Sequence, residues 1–386
     1  MIRRTTAVPF LVCWWCSAQA AQDSQELVRR LHLVEAERSH GRLAAAESML
    51  AKLQAEIERT EGSGFQLAVA LREHGLLRDD AGRPEEAIPF YERALALVRA
   101  HPGASPVAVG LLLANLASSH ADRGDSDVAL SLSSEAMTLL LAGGDRTDPD
   151  FAVSLHAHGA ALHSLGRNTE ALRDHREALD IWRHAAEPDY AQLALINEAI
   201  AGCLSDLGYS IQAEAAEREA LAIRARMLEP NSLGVAASLN NLGVILAREQ
   251  RFSEGRQSLE RAALIFEQSG ESEQQRLAAV LGNLGRVFYI EARNSAQLYA
   301  KAEEVYRREL AIEERTLGAS DVRVAATLEM LGEVLYRERA YNEAGRIYGR
   351  GLAIQRAAFG SANPKTQAAA KRYNALVKKM GVDAAR

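Results

Sequence analysis

Small residues recur at a fixed interval over most of this 386-residue chain. A first series of glycine or alanine advances in steps of 42 residues, with one last step of 47, through Gly75, Ala117, Gly159, Ala201, Gly243, Gly285 and Gly332. A second series keeps step with it through Ala87, Ala129, Ala171, Ala213, Gly255, Ala302 and Ala344. The longer step places a five-residue insertion between Gly285 and Ala302. Such a period indicates a repeat protein, in which stacked short units replace a single large core.

The residues around each small position are spaced as in two helices joined by a turn. Leucine precedes the first small residue by four positions in most units, as at Leu71, and glycine often follows it by seven, as at Gly82. Apolar spacings of three and four on both sides of a glycine predict a helix hairpin. A content of 48% hydrophobic and 5% aromatic residues argues against a disordered chain and against a β-sandwich. We therefore predict an all-α fold.

The order of leucine, small residue, turn glycine, aromatic residue and alanine resembles the tetratricopeptide repeat. Tyr91, Tyr306 and Tyr348 stand where that family has an aromatic side chain. The usual period is about 34 residues, and the longer units here look like the kinesin light chain variety. The resemblance implies a right-handed superhelical α-solenoid of seven repeats at residues 68–109, 110–151, 152–193, 194–235, 236–277, 278–324 and 325–366. HEAT-like repeats, with a period of about 40–47 residues, are a second interpretation.

Two segments flank the predicted array. Residues 21–67 contain Gly41 and Arg42 followed by a run of alanines, which we interpret as a degenerate helical hairpin that caps the N-terminal end. Residues 367–386 place apolar residues and lysines on opposite sides at helical spacing, which predicts a C-terminal solvating helix.

The first twenty residues have the pattern of a secretory signal peptide. Arg3 and Arg4 precede a short apolar stretch, and a small-x-small cleavage motif ends at Ala20. We expect cleavage after Ala20 and a secreted or periplasmic protein. An uncleaved N-terminus would instead give a cytoplasmic adaptor or sensor. Both Cys13 and Cys16 lie within this segment.

The sequence contains no phosphate-binding glycine loop, no zinc-protease motif and no hydrolase nucleophile motif. We therefore predict no catalytic residue and no cofactor. His156 and His163 share one predicted helix face, so a metal-binding or enzymatic module in the third repeat is an alternative.

The net charge of −6 disfavours non-specific binding of nucleic acid. No apolar run of the sequence is long enough to span a bilayer.

A surface remains as the candidate for function. In the tetratricopeptide family the first helix of each hairpin lines the concave groove, so the resemblance implies that partners bind there. In repeats five to seven the groove positions are Asn240, Arg248, Arg286, Tyr289, Glu333, Tyr336 and Arg337. In repeats one to four they are Arg72, Asp79, Asp80, Asp122, His156, His163, Glu198 and Asp206.

This groove is expected to be acidic toward its N-terminal side and basic, with tyrosines, toward its C-terminal side. Asparagine amides can bond a peptide backbone, arginine can hold carboxylates, and tyrosine buries area with little loss of entropy. We therefore predict a non-catalytic scaffold that binds a peptide or protein. The sequence identifies neither the partner nor the oligomeric state.

Overall fold

A computed structural model describes residues 18–39, 41–59, 64–101, 103–143, 145–293 and 295–383. Within these residues the regular elements are helices, and no strand occurs. The helices are α1 (Ala18–Ser39), α2 (Leu43–Ile57), α3 (Gly64–Asp80), α4 (Pro84–Arg99), α5 (Pro106–Arg123), α6 (Ser126–Gly143), α7 (Pro149–Ser164), α8 (Asn168–His184), α9 (Tyr190–Asp206), α10 (Ser210–Met227), α11 (Leu233–Arg248), α12 (Phe252–Gln268), α13 (Gln274–Ala292), α14 (Ala296–Leu317), α15 (Val322–Arg337), α16 (Tyr341–Phe359) and α17 (Pro364–Asp383). The prediction of an all-α fold is confirmed.

The helices belong to two compact units, which meet in sequence between Pro230 and Asn231. In the first unit, hairpins form between α3 and α4, α5 and α6, α7 and α8, and α9 and α10, preceded by the pair α1 and α2. In the second unit, α11 pairs with α12, α13 with α14 and α15 with α16. Within each unit, the second helix of a hairpin also packs on the first helix of the following hairpin, and α17 packs on α16.

The small residues of both series are buried and allow the two helices of a hairpin to approach closely. On the first helix, the glycine makes room for a large side chain of the second helix. A Cβ atom on Gly75 would stand 2.4 Å from Cε1 of Tyr91, and one on Gly332 would stand 2.9 Å from Cδ1 of Tyr348. In the third hairpin, His175 takes the place of the tyrosine. The glycine and the bulky residue are therefore complementary in size.

The turn between the two helices of a hairpin requires a residue with positive φ. The glycines predicted for this turn have φ of 69° at Gly82, 74° at Gly166 and 83° at Gly208. Glycine adopts this conformation without steric cost. In the fifth and seventh hairpins, Gln250 with φ 63° and Arg339 with φ 66° occupy the same position.

The five-residue insertion lengthens both helices of the sixth hairpin. Helix α13 has 19 residues and α14 has 22, whereas α11 and α12 have 16 and 17. Several helices begin before the repeat boundary used above, since α5 begins at Pro106 and α17 at Pro364. Proline is favoured in the first turn of a helix, where its missing N–H costs no hydrogen bond.

The predicted signal peptide lies outside the described residues except for its last three positions, with which α1 begins at Ala18. Among the described residues, no helix combines the length and the hydropathy needed to cross a bilayer.

Candidate binding surface

The first helices of successive hairpins lie side by side in the second unit. We call the surface formed by α11, α13 and α15 the A-helix face of this unit. Asn283 on α13 donates through Nδ2 to Oδ1 of Asn240 on α11 at 2.9 Å. Tyr289 on α13 donates its hydroxyl to Oε1 of Glu333 on α15 at 3.0 Å. The structure therefore brings Asn240, Tyr289 and Glu333 of the predicted groove onto one surface.

Glu333 accepts hydrogen bonds from three side chains. Besides Tyr289, the hydroxyl of Tyr348 donates to Oε2 at 3.0 Å, and Arg337 donates through Nε to Oε1 at 2.9 Å. Glu333 thus offsets the charge of Arg337. The face is consequently less basic at this end than the sequence suggested.

Tyr336 contacts the last helix. Nζ of Lys379 on α17 lies 3.1 Å from the hydroxyl of Tyr336 and 4.6 Å from the centre of its ring. The same ammonium lies 4.7 Å from the ring centre of Tyr341, and the two tyrosine rings are 5.6 Å apart. Such cation–π contacts are favourable, so Tyr336 helps to hold α17 against the last hairpin.

Arg248 and Arg286 both expose their side chains. The guanidinium of Arg286 makes no hydrogen bond or ion pair with any residue that the structure describes. This arginine is therefore a cation of the A-helix face that remains open to a partner.

Two buried polar groups next to Arg286 were not among the predicted site residues. Tyr306 is 1% exposed and Glu309 is 8% exposed, and neither the Tyr306 hydroxyl nor Oε2 of Glu309 has a hydrogen-bond partner within the described residues. Burial, and next the charge of Glu313, raise the pKa of Glu309 to about 8. The sequence did contain a signal for this residue, because most repeats have alanine at the position of Glu309, as at Ala262.

Helices α3, α5, α7 and α9 form the A-helix face of the first unit, and Asp79 and Asp122 lie on two of them. Oδ2 of Asp79 accepts from the hydroxyl of Tyr91 at 2.7 Å, and its Oδ1 accepts from Oγ of Ser119 at 2.8 Å. Burial raises the pKa of Asp79 to about 7. Surrounding protein raises the pKa of Asp122 to about 6, although water reaches this side chain, and the charge of Glu198 adds to the shift. Asp79 is therefore partly protonated near neutral pH, which weakens the negative charge of this face.

The expectation that His156 faces the groove was wrong. Its side chain is 9% exposed and packs against His175, with ring centres 5.0 Å apart. Burial lowers the pKa of His156 to about 4, so the ring is neutral. Sequence spacing places the residue on the correct helix, but it does not reveal how closely the neighbouring helices pack.

The other histidines of the third repeat pair individually with carboxylates. Nδ1 of His158 lies 2.7 Å from Oδ2 of Asp174, and Nε2 of His163 lies 3.0 Å from Oδ2 of Asp206. No group of three or more histidine, cysteine, aspartate or glutamate side chains is arranged to hold a metal ion in the part of the chain that the structure describes.

Comparison with protein-family models identifies the hairpins. Models described as tetratricopeptide repeat match residues 70–103, 151–189, 234–297 and 324–365. The chain is a tetratricopeptide-repeat protein. The matched segments fall in both units, and the HEAT-like interpretation is not supported.

A curated relative also contains this repeat. A TPR repeat-containing protein from Dictyostelium discoideum is 27% identical over 153 residues, which are 40% of this chain and 9% of the relative. The tetratricopeptide-repeat chain thus spans less than a tenth of that relative's length.

Solved structures have a similar fold. A Rap protein complexed with competence and sporulation factor has 13% sequence identity and a TM-score of 0.55, over 87% of this chain and 91% of that chain. Repeats of a putative kinesin light chain from Podosopora anserina have 16% identity and a TM-score of 0.40, over 52% of this chain and 94% of that chain.

Proposed function

We propose that this tetratricopeptide-repeat chain is a non-catalytic scaffold that holds a peptide or protein partner on its A-helix faces. The observation that carries the proposal is the A-helix face of the second unit, where Asn240, Arg286 and Tyr289 present polar and aromatic groups. None of these three residues belongs to the two series of small residues that allow the helices of a hairpin to pack closely. Side chains of these types supply hydrogen bonds, charge and contact area to a bound peptide.

The fold is compatible with this role. The similar Rap protein was solved in complex with competence and sporulation factor, so a related helical array accommodates a partner. The exposed Arg286 can form charge-assisted hydrogen bonds without first breaking an ion pair of the protein.

We further propose that the protein acts in the cell envelope or outside the cell, after removal of residues 1–20. The support is the basic, then apolar, then small-x-small pattern that ends at Ala20. Mass spectrometry of the protein expressed in its native source tests this part. A mature chain that begins at Ala21 supports export, whereas a chain that retains Met1 overturns it and favours the cytoplasmic adaptor.

Capture of partners from the native source tests the scaffold. The full chain, the double variant Asn240→Ala/Arg286→Ala and the control Arg346→Ala would be used as baits under the same conditions. Arg346 is an exposed arginine on the second helix of its hairpin, away from the A-helix face. We expect a partner that the unmodified chain and the control retain and that the double variant loses. Equal recovery by all three baits would contradict binding at this face.

A further inference from the structure

The third hairpin has a histidine at a position where other hairpins have a tyrosine. His175 on α8 packs on Gly159 of α7, where a Cβ atom would stand 2.6 Å from Cε1 of the imidazole. Tyr91 and Tyr348 pack in the same way on the glycines of the first and seventh hairpins, and their hydroxyls donate to carboxylates at 2.7 Å and 3.0 Å. The side chain of His175 is fully buried and has no hydroxyl that could reach such an acceptor.

A second imidazole lies beside the first. The ring centres of His156 on α7 and His175 are 5.0 Å apart, and the ring planes are inclined by 46°. Among the described residues, neither ring nitrogen of His175 has a hydrogen-bond partner, and neither does Nδ1 of His156. Burial of an ionised group without partners costs far more free energy than burial of its neutral form. The packed hairpin therefore favours the neutral form of both rings.

Within the described residues, the charged group that acts on His156 is Glu198 on α9. Its negative charge favours the protonated ring, but its carboxylate also accepts a hydrogen bond from Nη2 of Arg224 on α10. Burial has the larger effect and lowers the pKa of His156 to about 4. The attraction of Glu198 is therefore too weak to keep this ring charged at neutral pH.

The groups around His175 oppose a positive charge on its ring. Burial is the main reason that the pKa of His175 lies well below its ordinary value, and the charges of His156 and His163 on α7 lower it further. His163 itself lies against α9, with Nε2 at 3.0 Å from Oδ2 of Asp206. Helices α5 and α6 also pack on α7, but none of their described residues acts on the charge of either ring.

Protonation of these rings is consequently coupled to opening of the hairpin. An imidazole in water binds a proton near pH 6.5. Between pH 6.5 and the lower pKa of the packed ring, the open hairpin binds more protons than the closed one, so acid favours opening. For His156, a change from pH 7.5 to pH 5 multiplies the opening constant by about 30. His175 adds to this factor.

We propose that the third hairpin is an acid-sensitive element, in which α7 and α8 separate when the buried rings of His156 and His175 are protonated. Opening also breaks the packing of α7 on α6 and of α8 on α9. Because α7 lies between α5 and α9 on the A-helix face of the first unit, acid interrupts the continuity of that face. This regulation does not depend on which partner the face binds.

Two other hairpins are expected to respond to acid in the opposite direction. Asp79 in the first hairpin has a pKa of about 7, and Glu309 in the sixth has a pKa of about 8. Both values lie above those of an exposed carboxyl group, so the closed hairpins bind these protons more tightly than the open ones. The first and sixth hairpins therefore become more stable as the pH falls, and they serve as internal controls.

Hydrogen exchange of the full chain at pH 7.5 and pH 5 tests the proposal. Protection factors are compared, because they already account for the intrinsic effect of pH on amide exchange. We expect protection in α7 and α8 to fall at least about 30-fold at pH 5, while protection in α3, α4, α13 and α14 stays constant or rises. A loss of the same size in all these helices, or no loss in α7 and α8, would overturn the proposal.

The double variant His156→Ala/His175→Tyr assigns the effect to the two rings. Its new residues are those found at the same repeat positions in Ala114 and Tyr91. We expect its protection in α7 and α8 to be nearly the same at both pH values. The single variant His156→Ala, which should reduce the acid response by about 30-fold, provides a second readout if the double variant does not fold.

His184→Gln is the matched control. This variant also removes an imidazole from the third hairpin, but the side chain of His184 on α8 is 78% exposed. We expect it to keep the full acid response of the unmodified chain. The proposal is wrong if His184→Gln abolishes the response, or if the variants of His156 and His175 retain it.

Discussion

The contact between a first-helix glycine and a large second-helix side chain sets the spacing of each hairpin at the level of single residues. Sequence periodicity identified both partners, Gly75 and Tyr91, but it could not show that they touch. Their contact became visible only with the geometry, because small residues at a fixed interval are compatible with several partners across a helix pair.

A methyl group at this contact should destabilise the hairpin. For Gly75→Ala we expect a loss of about 1–3 kcal/mol in the free energy of unfolding, because the new Cβ would stand 2.4 Å from a ring carbon of buried Tyr91. Urea denaturation measures the change. Gly345→Ala is the control, since its Cβ would make only ordinary contacts, with Sδ of Met380 at 3.6 Å and Cδ2 of Leu376 at 3.9 Å, and alanine favours the helix by roughly 0.5–1 kcal/mol. Similar losses in both variants would contradict this account.

Buried Glu309 should make stability depend on pH. Its pKa is about 8 in the folded protein, above the ordinary value of 4.5, so between these values the folded state binds more protons than the unfolded state. The contribution of this group therefore falls as pH rises from about 4.5 to 8, with a slope of at most about 1.4 kcal/mol per pH unit. We expect Glu309→Ala to flatten the decline in urea midpoint between pH 5 and pH 8. Parallel profiles would show that Glu309 titrates normally.

At the scale of helices and turns, the sequence predicted the hairpins because each one repeats the same spacing of leucine, small residue and turn. The sequence did not determine the residue at which a helix begins, such as Pro106 in α5. It also did not show where the sixth repeat accommodates its insertion, because a helix can lengthen at either end. It also missed the buried polar groups of Tyr306 and Glu309. The sequence does show a glutamate at position 309, where most repeats have alanine. Its burial beside Arg286 was not visible, because this burial depends on the space that Gly282 leaves free.

The turns of the fifth and seventh hairpins offer a direct test of the repeat alignment. Gln250 and Arg339 have positive φ, a conformation that costs a non-glycine residue about 1–2 kcal/mol. The greater flexibility of glycine in the unfolded chain offsets part of this strain. We therefore expect Gln250→Gly and Arg339→Gly each to stabilise the protein by about 0.5–1 kcal/mol in thermal unfolding. Gly166→Ala changes the equivalent turn of the third hairpin and should destabilise the protein. The alignment would be contradicted if Gln250→Gly and Arg339→Gly destabilised the protein and Gly166→Ala stabilised it.

For the whole molecule, the division between Pro230 and Asn231 separates two sets of hairpins that each have their own contacts. In a repeat protein, stability is approximately the sum of the stabilities of the repeats and of the interfaces between neighbours. A destabilising substitution should therefore lower mainly the stability of the repeats next to it. Different regions of a protein can open with different free energies of local unfolding.

Hydrogen exchange resolves this behaviour along the chain. Gly285→Ala places a Cβ atom 2.8 Å from the ring of Tyr306, so it should weaken the sixth hairpin. We expect faster amide exchange in α13 and α14, and to a smaller degree in the adjoining α12 and α15, with unchanged rates in α3 to α8. Gly75→Ala should give the reverse pattern, with faster exchange in α3 and α4 and unchanged rates in α13 and α14. Uniform acceleration by either substitution would mean that the hairpins of both units unfold as one cooperative structure.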